Sequence, residues 1–308
     1  MGSIGVGILV GLAALLPPAE PVGQAVTSRP ARERRAPAGP YLGQEPPGHE
    51  PRIFAPGLIS RDGMRSRESN ISFWPGGRRC VFHRAGPGIP PFTVFETRIE
   101  NGAWLEPRPS PLFGGLDAFQ PGLAPDGHRL LFTTTRLTPP PGAGDDWAHL
   151  WETVFAEGRW SPPAYIGPGL YPSVTEDGTI YFTTRMAKTW HIARRRHRAG
   201  RYEALEVVGP RVLSRHADAH PCIAPDESYL IFDSDRPRKG PCALFVSFRR
   251  QNGLWTEPRN LGRWIRRRAS LARVSPDGRY LFFQSDGDLY WMDTGFLAEL
   301  ATEELRRR

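Results

Sequence analysis

A Pro-Asp-Gly turn followed by a short apolar strand recurs along this chain at a nearly constant interval, and no other feature limits the fold as tightly. The copies are Trp74-Pro75-Gly76-Gly77 before Val81-Phe82, Ala124-Pro125-Asp126-Gly127 before Leu130-Leu131-Phe132, and Thr175-Glu176-Asp177-Gly178 before Ile180-Tyr181-Phe182. Two more follow: Ala224-Pro225-Asp226-Glu227 before Leu230-Ile231-Phe232, and Ser275-Pro276-Asp277-Gly278 before Leu281-Phe282-Phe283. The turns are anchored at positions 76, 126, 177, 226 and 277, steps of 50, 51, 49 and 51 residues. Pro presets one turn position and Gly takes the positive φ, so each copy reads as a hairpin. A fixed period of this length marks a repeat architecture.

Each unit continues in the same way. A third strand follows, as at 150–154 and 243–247, and then a Gly-containing turn: Gly102-Ala103-Trp104, Gly158-Arg159-Trp160, Gly200-Arg201-Tyr202 and Gly253-Leu254-Trp255. This last element reads as the fourth strand, ending in Glu106-Pro107, Pro162-Pro163 or Glu257-Pro258. Proline suits an outer edge, where no neighbour needs its missing N–H. Four antiparallel strands at this period make a β-propeller blade, so the fold class is all-β. The 33 glycines and 33 prolines agree with many short strands joined by tight turns. The recurring Trp and Tyr read as packing residues between blades rather than as a sugar platform.

Residues 41–293 are 253 residues, or five units of about 50. The last unit has strands at 273–274, 279–284 and 288–292 but lacks the Gly-x-Trp element. The segment Pro47–Pro56 can supply the missing strand from the N-terminal side and so remove both sheet edges. The expectation is five four-stranded blades closed by an N-terminal strand, with six possible if that segment builds more than one strand. The propeller spans 41–294, and 295–308 reads as a short C-terminal helix and tail.

Ile4 to Leu16 is an apolar run too short to span a bilayer and the right length for a signal-peptide core. Gly23-Gln24-Ala25 offers small residues for cleavage after Ala25, so 1–25 reads as a cleaved signal peptide and the chain as periplasmic or secreted. Residues 26–40, rich in Pro, Arg and Ala, read as a disordered linker. The net charge of +8 is almost entirely arginine, Lys188 and Lys239 being the only lysines. The runs Arg194–Arg198 and Arg266–Arg268 read as solvated loops, and no basic face interleaved with exposed aromatics argues for nucleic acid. Cys80, Cys222 and Cys242 form neither a disulfide framework nor a zinc pattern; Cys222 and Cys242 either pair or are buried as small apolar residues.

The Pro-Asp-Gly units resemble the WD40-like β-propeller repeat found in TolB-type periplasmic propellers, over nearly all of Tyr41 to Asp293. The opening Tyr41-Leu42-Gly43-Gln44-Glu45-Pro46-Pro47-Gly48 with Phe54-Ala55-Pro56-Gly57, and the closing Asp288-Leu289-Tyr290-Trp291-Met292-Asp293, are similar to a bacterial subgroup of such proteins. The resemblance implies a propeller, often exported, and no particular reaction. Its motifs are structural turns, so no catalytic residue is carried over. The additional N-terminal α/β domain of TolB has no counterpart here, which argues against a role in that system.

Propeller ligands sit at one end of the central channel. The residues just before the first strand of a blade and just after its second strand share one face. Six positions before each anchor stand Asn70, Gln120, Tyr171, His220 and Leu271, with Glu68, Asp117 and Asp218 nearby. After the second strands come Arg84, Arg136, Arg185 and Arg236. A single arginine there also fits loop closure by side-chain hydrogen bonds. Several converging on one mouth would favour a carboxylate. The candidate ligand-binding set is Arg136, Arg185, Arg236, His220, Gln120, Tyr171, Asp117, Asp218 and Glu68. The partner expected is a protein, peptide or acidic saccharide, for a monomeric binding scaffold with no stable membrane span.

The rival reading is a propeller-type glycoside hydrolase or lyase using Asp117, Asp218 and Glu68, with carboxyl separations of roughly 5 to 9.5 Å as its requirement. No catalytic residue is assigned. No Gly-x-Ser-x-Gly elbow, phosphate loop, zinc signature or Glu-x-x-His pattern is present, so neither cofactor nor metal is expected.

Overall fold

Every repeat turn that carries an aspartate is closed by it. The carboxylates of Asp126, Asp177, Asp226 and Asp277 accept the N–H two residues on, at 2.8, 2.9, 2.9 and 3.2 Å. The residue after Asp is left-handed: Gly127, Gly178 and Gly278 at φ 70°, 84° and 73°. In the fourth copy Glu227 stands in this place at φ 60°, held by the Tyr181 hydroxyl at 2.7 Å and by Arg249. Asx-type closure is what makes Asp useful here, and it launches the second strand of each blade.

The computed structural model describes residues 38–61, 66–143, 148–209, 211–236 and 244–306. Five blades stand in a ring, their inner strands in contact each with the next and the fifth with the first. From the axis outward, blade 1 is Arg67–Phe73, Arg79–Gly86, Ile89–Glu100 and Arg108–Pro109. Blade 2 is Ala118–Leu123, Arg129–Thr134, His149–Ala156 and Ala164–Pro168. Blade 3 is Leu170–Val174, Ile180–Met186, Thr189–Arg195 and Glu206–Val207. Blade 4 is Asp218–Ile223, Tyr229–Ser234, Leu244–Phe248 and Arg259–Asn260. Blade 5 is Ser270–Val274, Tyr280–Ser285, Asp288–Asp293 and, from the other end of the chain, Arg52–Ile53. The N-terminal segment gives one strand, so the ring has five blades and not six.

One expectation is corrected. The Gly-x-Trp elements are not the outer strands but two-residue hairpins folded back on the third strand, Ala103–Trp104 against Ile99 and Glu100 and Arg159–Trp160 against Phe155 and Ala156. The cause is the turn chemistry. Asn101-Gly102, Glu157-Gly158 and Ala199-Gly200 are left-handed at both positions, the signature of a type I′ hairpin. The outer strands form further on, after Glu106-Pro107, Pro162-Pro163 and Glu257-Pro258.

The second strand of every blade carries a fully buried phenylalanine at one repeat position, Phe82, Phe132, Phe182, Phe232 and Phe282, at intervals of 50 residues, and blade 5 adds Phe283. Burial of such a side chain contributes about 1.5–3 kcal/mol. Trp104, Trp160, Tyr202 and Trp255 pack in or against these inter-blade clusters. The Tyr202 hydroxyl also latches blade 3 to blade 2 through Glu152 at 2.9 Å and through Arg129. The helix Gly295–Arg306 lays Phe296, Leu297 and Leu300 on the cluster of blades 4 and 5. Cys80 and Cys222 are buried free thiols, and Cys242 lies outside the described residues. So do the whole proposed signal peptide and 26–37 of the linker.

Phe54, directly after the closing strand, is fully buried against Phe282, Trp291 and Phe73, with ring centroids 5.0, 5.2 and 5.9 Å away. It fills the seam between blades 5 and 1. Phe54→Ala should therefore cost about 3–5 kcal/mol in urea unfolding, against under about 1 kcal/mol for Phe155→Ala on a partly exposed strand. Equal, small losses would contradict closure at this seam.

Candidate functional site

Inner strands converging on an axis must bend to avoid collision, and here each does so at the same place. Asn70, Gln120, Tyr171, His220 and Leu271 are left-handed, at φ 51°, 54°, 53°, 52° and 57°. Around each of them the pairing with the second strand shifts register, which is the mark of a β-bulge. A left-handed residue other than Gly costs on the order of 1–2 kcal/mol. Hydrogen bonds to adjacent blades offset this. The N–H of Tyr171 goes to Gln120 Oε1 (3.0 Å), that of His220 to Thr183 Oγ1 (2.8 Å) and that of Leu271 to Asp233 Oδ1 (3.0 Å). Asn70 Nδ2 donates to the Pro121 carbonyl (2.9 Å), and Arg273 Nε donates to Asn70 Oδ1 (3.0 Å), so every pair of neighbouring blades is stitched at this level.

The end of the channel where the inner strands begin is filled. Phe119, Leu170, Tyr171 and Ala148 are buried there with Phe92, Trp190 and Leu271 packed on them, Phe92 and Phe119 having centroids 4.5 Å apart. The Tyr171 hydroxyl donates across the ring to the Ala272 carbonyl at 2.8 Å. His220 Nδ1 lies 2.9 Å from Asp233 and its ring packs edge-on against Tyr171. Gln120, Tyr171 and His220 are thus brought together, as structural partners of one another.

Three of the four arginines of this face, Arg84, Arg136 and Arg236, are each paired with a nearby carboxylate. Arg236 grips Asp218 through Nε and Nη2, both at 3.0 Å, and donates to the Val212 carbonyl. Arg84 holds Glu68 through Nε alone, at 3.0 Å, and its Nη2 donates to the carbonyls of Leu58 and Ile59. Arg84 lies over the rings of Phe82 and Phe95, and Arg236 over those of Phe232 and Phe245, so the two sites are equivalent. Arg136 pairs with Asp117 at 2.6 Å on the surface, and Arg185 is exposed beside Trp190. Burial pushes the Glu68 carboxyl up against the opposing pull of Arg84. Asp117, Asp218 and Glu68, the carboxylates a glycosidase would need, are all held by these arginines.

The other end, where the Pro-Asp-Gly turns lie, holds a cavity of about 400 Å³ lined by residues of all five blades. Two residues beyond each bulge stand Ser72, Gly122, Ser173, Cys222 and Arg273. Four small residues leave room for one long one. A Cβ on Gly122 would lie 2.3 Å from the Pro172 carbonyl oxygen and 3.4 Å from Arg273 Nη2. Arg273 is 6% exposed; its Nη2 donates to Pro172 O at 2.6 Å and its guanidinium sits 4.0 Å over the Tyr171 ring. Its bonds to Asn70 and Pro172 reach neutral acceptors, and among the described residues it has no carboxylate partner and no hydrogen bond at Nη1. Burial pushes the neighbouring Cys222 thiol up, so it stays protonated. At the rim stand Glu176, Asp226 and Asp277, one from each of blades 3, 4 and 5.

The arrangement is a narrow funnel with a cation at its floor. It can hold an anion. Arg273 is the buried cation that reading by strands overlooks. The signal for it is in the repeat: aligned by their bulges, the five copies read Ser, Gly, Ser, Cys and Arg at this position.

No protein-family model matches the chain, and no curated protein matches its sequence. Solved structures similar in shape include XC5397 from Xanthomonas campestris, described as a gluconolactonase, at 15% identity and TM-score 0.45, covering 85% of this chain and 99% of that one. An α-L-arabinofuranosidase from Lactobacillus brevis matches at 10% identity and TM-score 0.47, over 71% of this chain and 83% of the other. The tricorn protease matches at 13% identity and TM-score 0.43, over 76% of this chain and 26% of its own.

His83, within the second strand of blade 1, bonds Ser69 through Nδ1 at 3.2 Å while its Nε2 is buried without a partner among the described residues. Burial pushes its pKa down to about 4. The unfolded value is near 6.5, so protonation favours unfolding. Stability from this group is complete above pH 6.5 and declines toward pH 4, by about 3 kcal/mol. Denaturant titrations of the wild type and His83→Gln at pH 7.5 and 4.5 should show this difference, the variant losing less. Parallel losses would contradict a buried neutral imidazole.

Proposed function

We propose that this chain is an exported propeller of the WD40-like, TolB-type group that binds the carboxylate of a small acidic ligand or peptide terminus in the funnel at its Pro-Asp-Gly end. Arg273 is the anion anchor. One observation carries the reading: a guanidinium nine-tenths buried, facing a five-blade cavity, with only neutral protein partners. Taking an ion from water costs several kcal/mol unless an opposite charge compensates it. A structural plug at this position could be apolar, as a Met or Leu. An Arg in a water-excluding site suits the two oxygens of a carboxylate. The cavity volume falls in the range of small-ligand sites, about 300–1,000 Å³. The apolar run before residue 17 supports export.

The reading is tested by thermal shift and isothermal titration with short peptides, hexuronates and their neutral amides. Carboxylates should stabilise the protein by about 2.7 kcal/mol at a hundredfold excess over Kd, and the amides should not. Arg273→Lys should weaken binding, and Arg273→Gln should abolish it. Urea unfolding separates this loss from any loss of fold. Undiminished binding by a folded Arg273→Gln protein, or no carboxylate binding at all, would overturn the proposal.

A further inference from the structure

The funnel is charged at both ends, with opposite signs. Arg273 provides the cation at the floor. Among the described residues, Glu176 and Asp226 form no ion pair, and both are exposed at the rim. The Glu176 N–H donates to the Pro225 carbonyl at 2.8 Å, so their two turns adjoin. Asp226 uses one oxygen to accept from Ser228 and keeps the other free of any hydrogen bond among the described residues. Glu176 occupies the position that is proline in the other four turns, and its carboxylate closes no turn. Asp277, by contrast, is engaged by Ser275, the Arg279 N–H and the Tyr41 hydroxyl. In a chain of net charge +8, two unpaired carboxylates above one unpaired guanidinium form a dipolar slot.

Resting on the carboxylate-binding reading, we infer that the funnel selects zwitterions: short peptides whose carboxylate meets Arg273 and whose ammonium meets Glu176 and Asp226. The spacing follows from the strands. The turn acids lie three to four residues beyond the Arg273 level, about 10–13 Å at 3.3 Å per residue. An extended peptide of about three or four residues spans that distance. A hexuronate satisfies the floor but offers nothing to the rim, and a dicarboxylate meets repulsion there.

The experiment is titration of the full chain with trialanine and tetraalanine, their N-acetyl forms, their C-terminal amides, and glucuronate. Free peptides should bind about two- to fivefold more tightly than the N-acetyl forms, the factor expected of an exposed ion pair. In Glu176→Gln/Asp226→Asn the N-acetyl affinity should persist and the advantage of the free amine vanish. Arg273→Gln should lose every ligand. If N-acetylated and free peptides bind equally, or glucuronate binds and peptides do not, while Arg273→Gln still abolishes binding, the zwitterion inference falls and the carboxylate site stands. If Arg273→Gln leaves binding intact, or nothing binds, the carboxylate site falls as well.

Discussion

Five strands cannot run side by side down one axis unless each bends, and this ring is organised by where they bend. The left-handed residues Asn70, Gln120, Tyr171, His220 and Leu271 turn the inner strands and release backbone N–H groups sideways. Side chains of adjacent blades receive them, Gln120 for Tyr171, Thr183 for His220 and Asp233 for Leu271. Conformational strain and inter-blade adhesion therefore occur at the same residues. Bulges of this kind are structural devices, not defects, and here they set the depth at which the channel divides.

Above that level the channel is filled by Phe92, Phe119, Trp190 and Leu271 around Tyr171. Below it the positions turned toward the cavity are Ser72, Ser173 and Cys222, and Arg273 crosses into the space they leave. The same arginine joins blade 5 to blade 1 through Asn70 and to blade 3 through Pro172 and the Tyr171 ring. It is at once a cross-brace and an uncompensated charge. The first role could be filled by neutral side chains. The second is the ground for proposing that the funnel binds an anion.

The architecture was legible because it rests on local turn chemistry repeated at a fixed period. Asp126, Asp177, Asp226 and Asp277 close their turns as their sequences imply, and the strand missing from blade 5 comes from the segment containing Arg52 and Ile53. The outer strands were less legible. Two-residue strands such as Arg108–Pro109 carry no periodic pattern, while the type I′ hairpins at Gly102 and Gly158 carry a strong one and draw attention to themselves. The site was hardest to read. The sequence brought polar residues to the strand-start end, yet whether Arg236 meets a ligand or Asp218 depends on a bidentate pair within blade 4, and Phe92 and Trp190 fill that mouth from third strands. Arg273 sits inside an inner strand, where pattern reading records only alternation.

The central claim is that the funnel floor is an anion site built on Arg273. Its most direct measurement is anomalous diffraction at the bromine edge from crystals soaked in 4-bromobenzoate. The account predicts a bromine peak inside the five-blade cavity, with the carboxylate on the Arg273 guanidinium and Asn70 and Pro172 still bonded to it. Bromine found only elsewhere on the surface, with the cavity holding ordered water against Arg273, would contradict it.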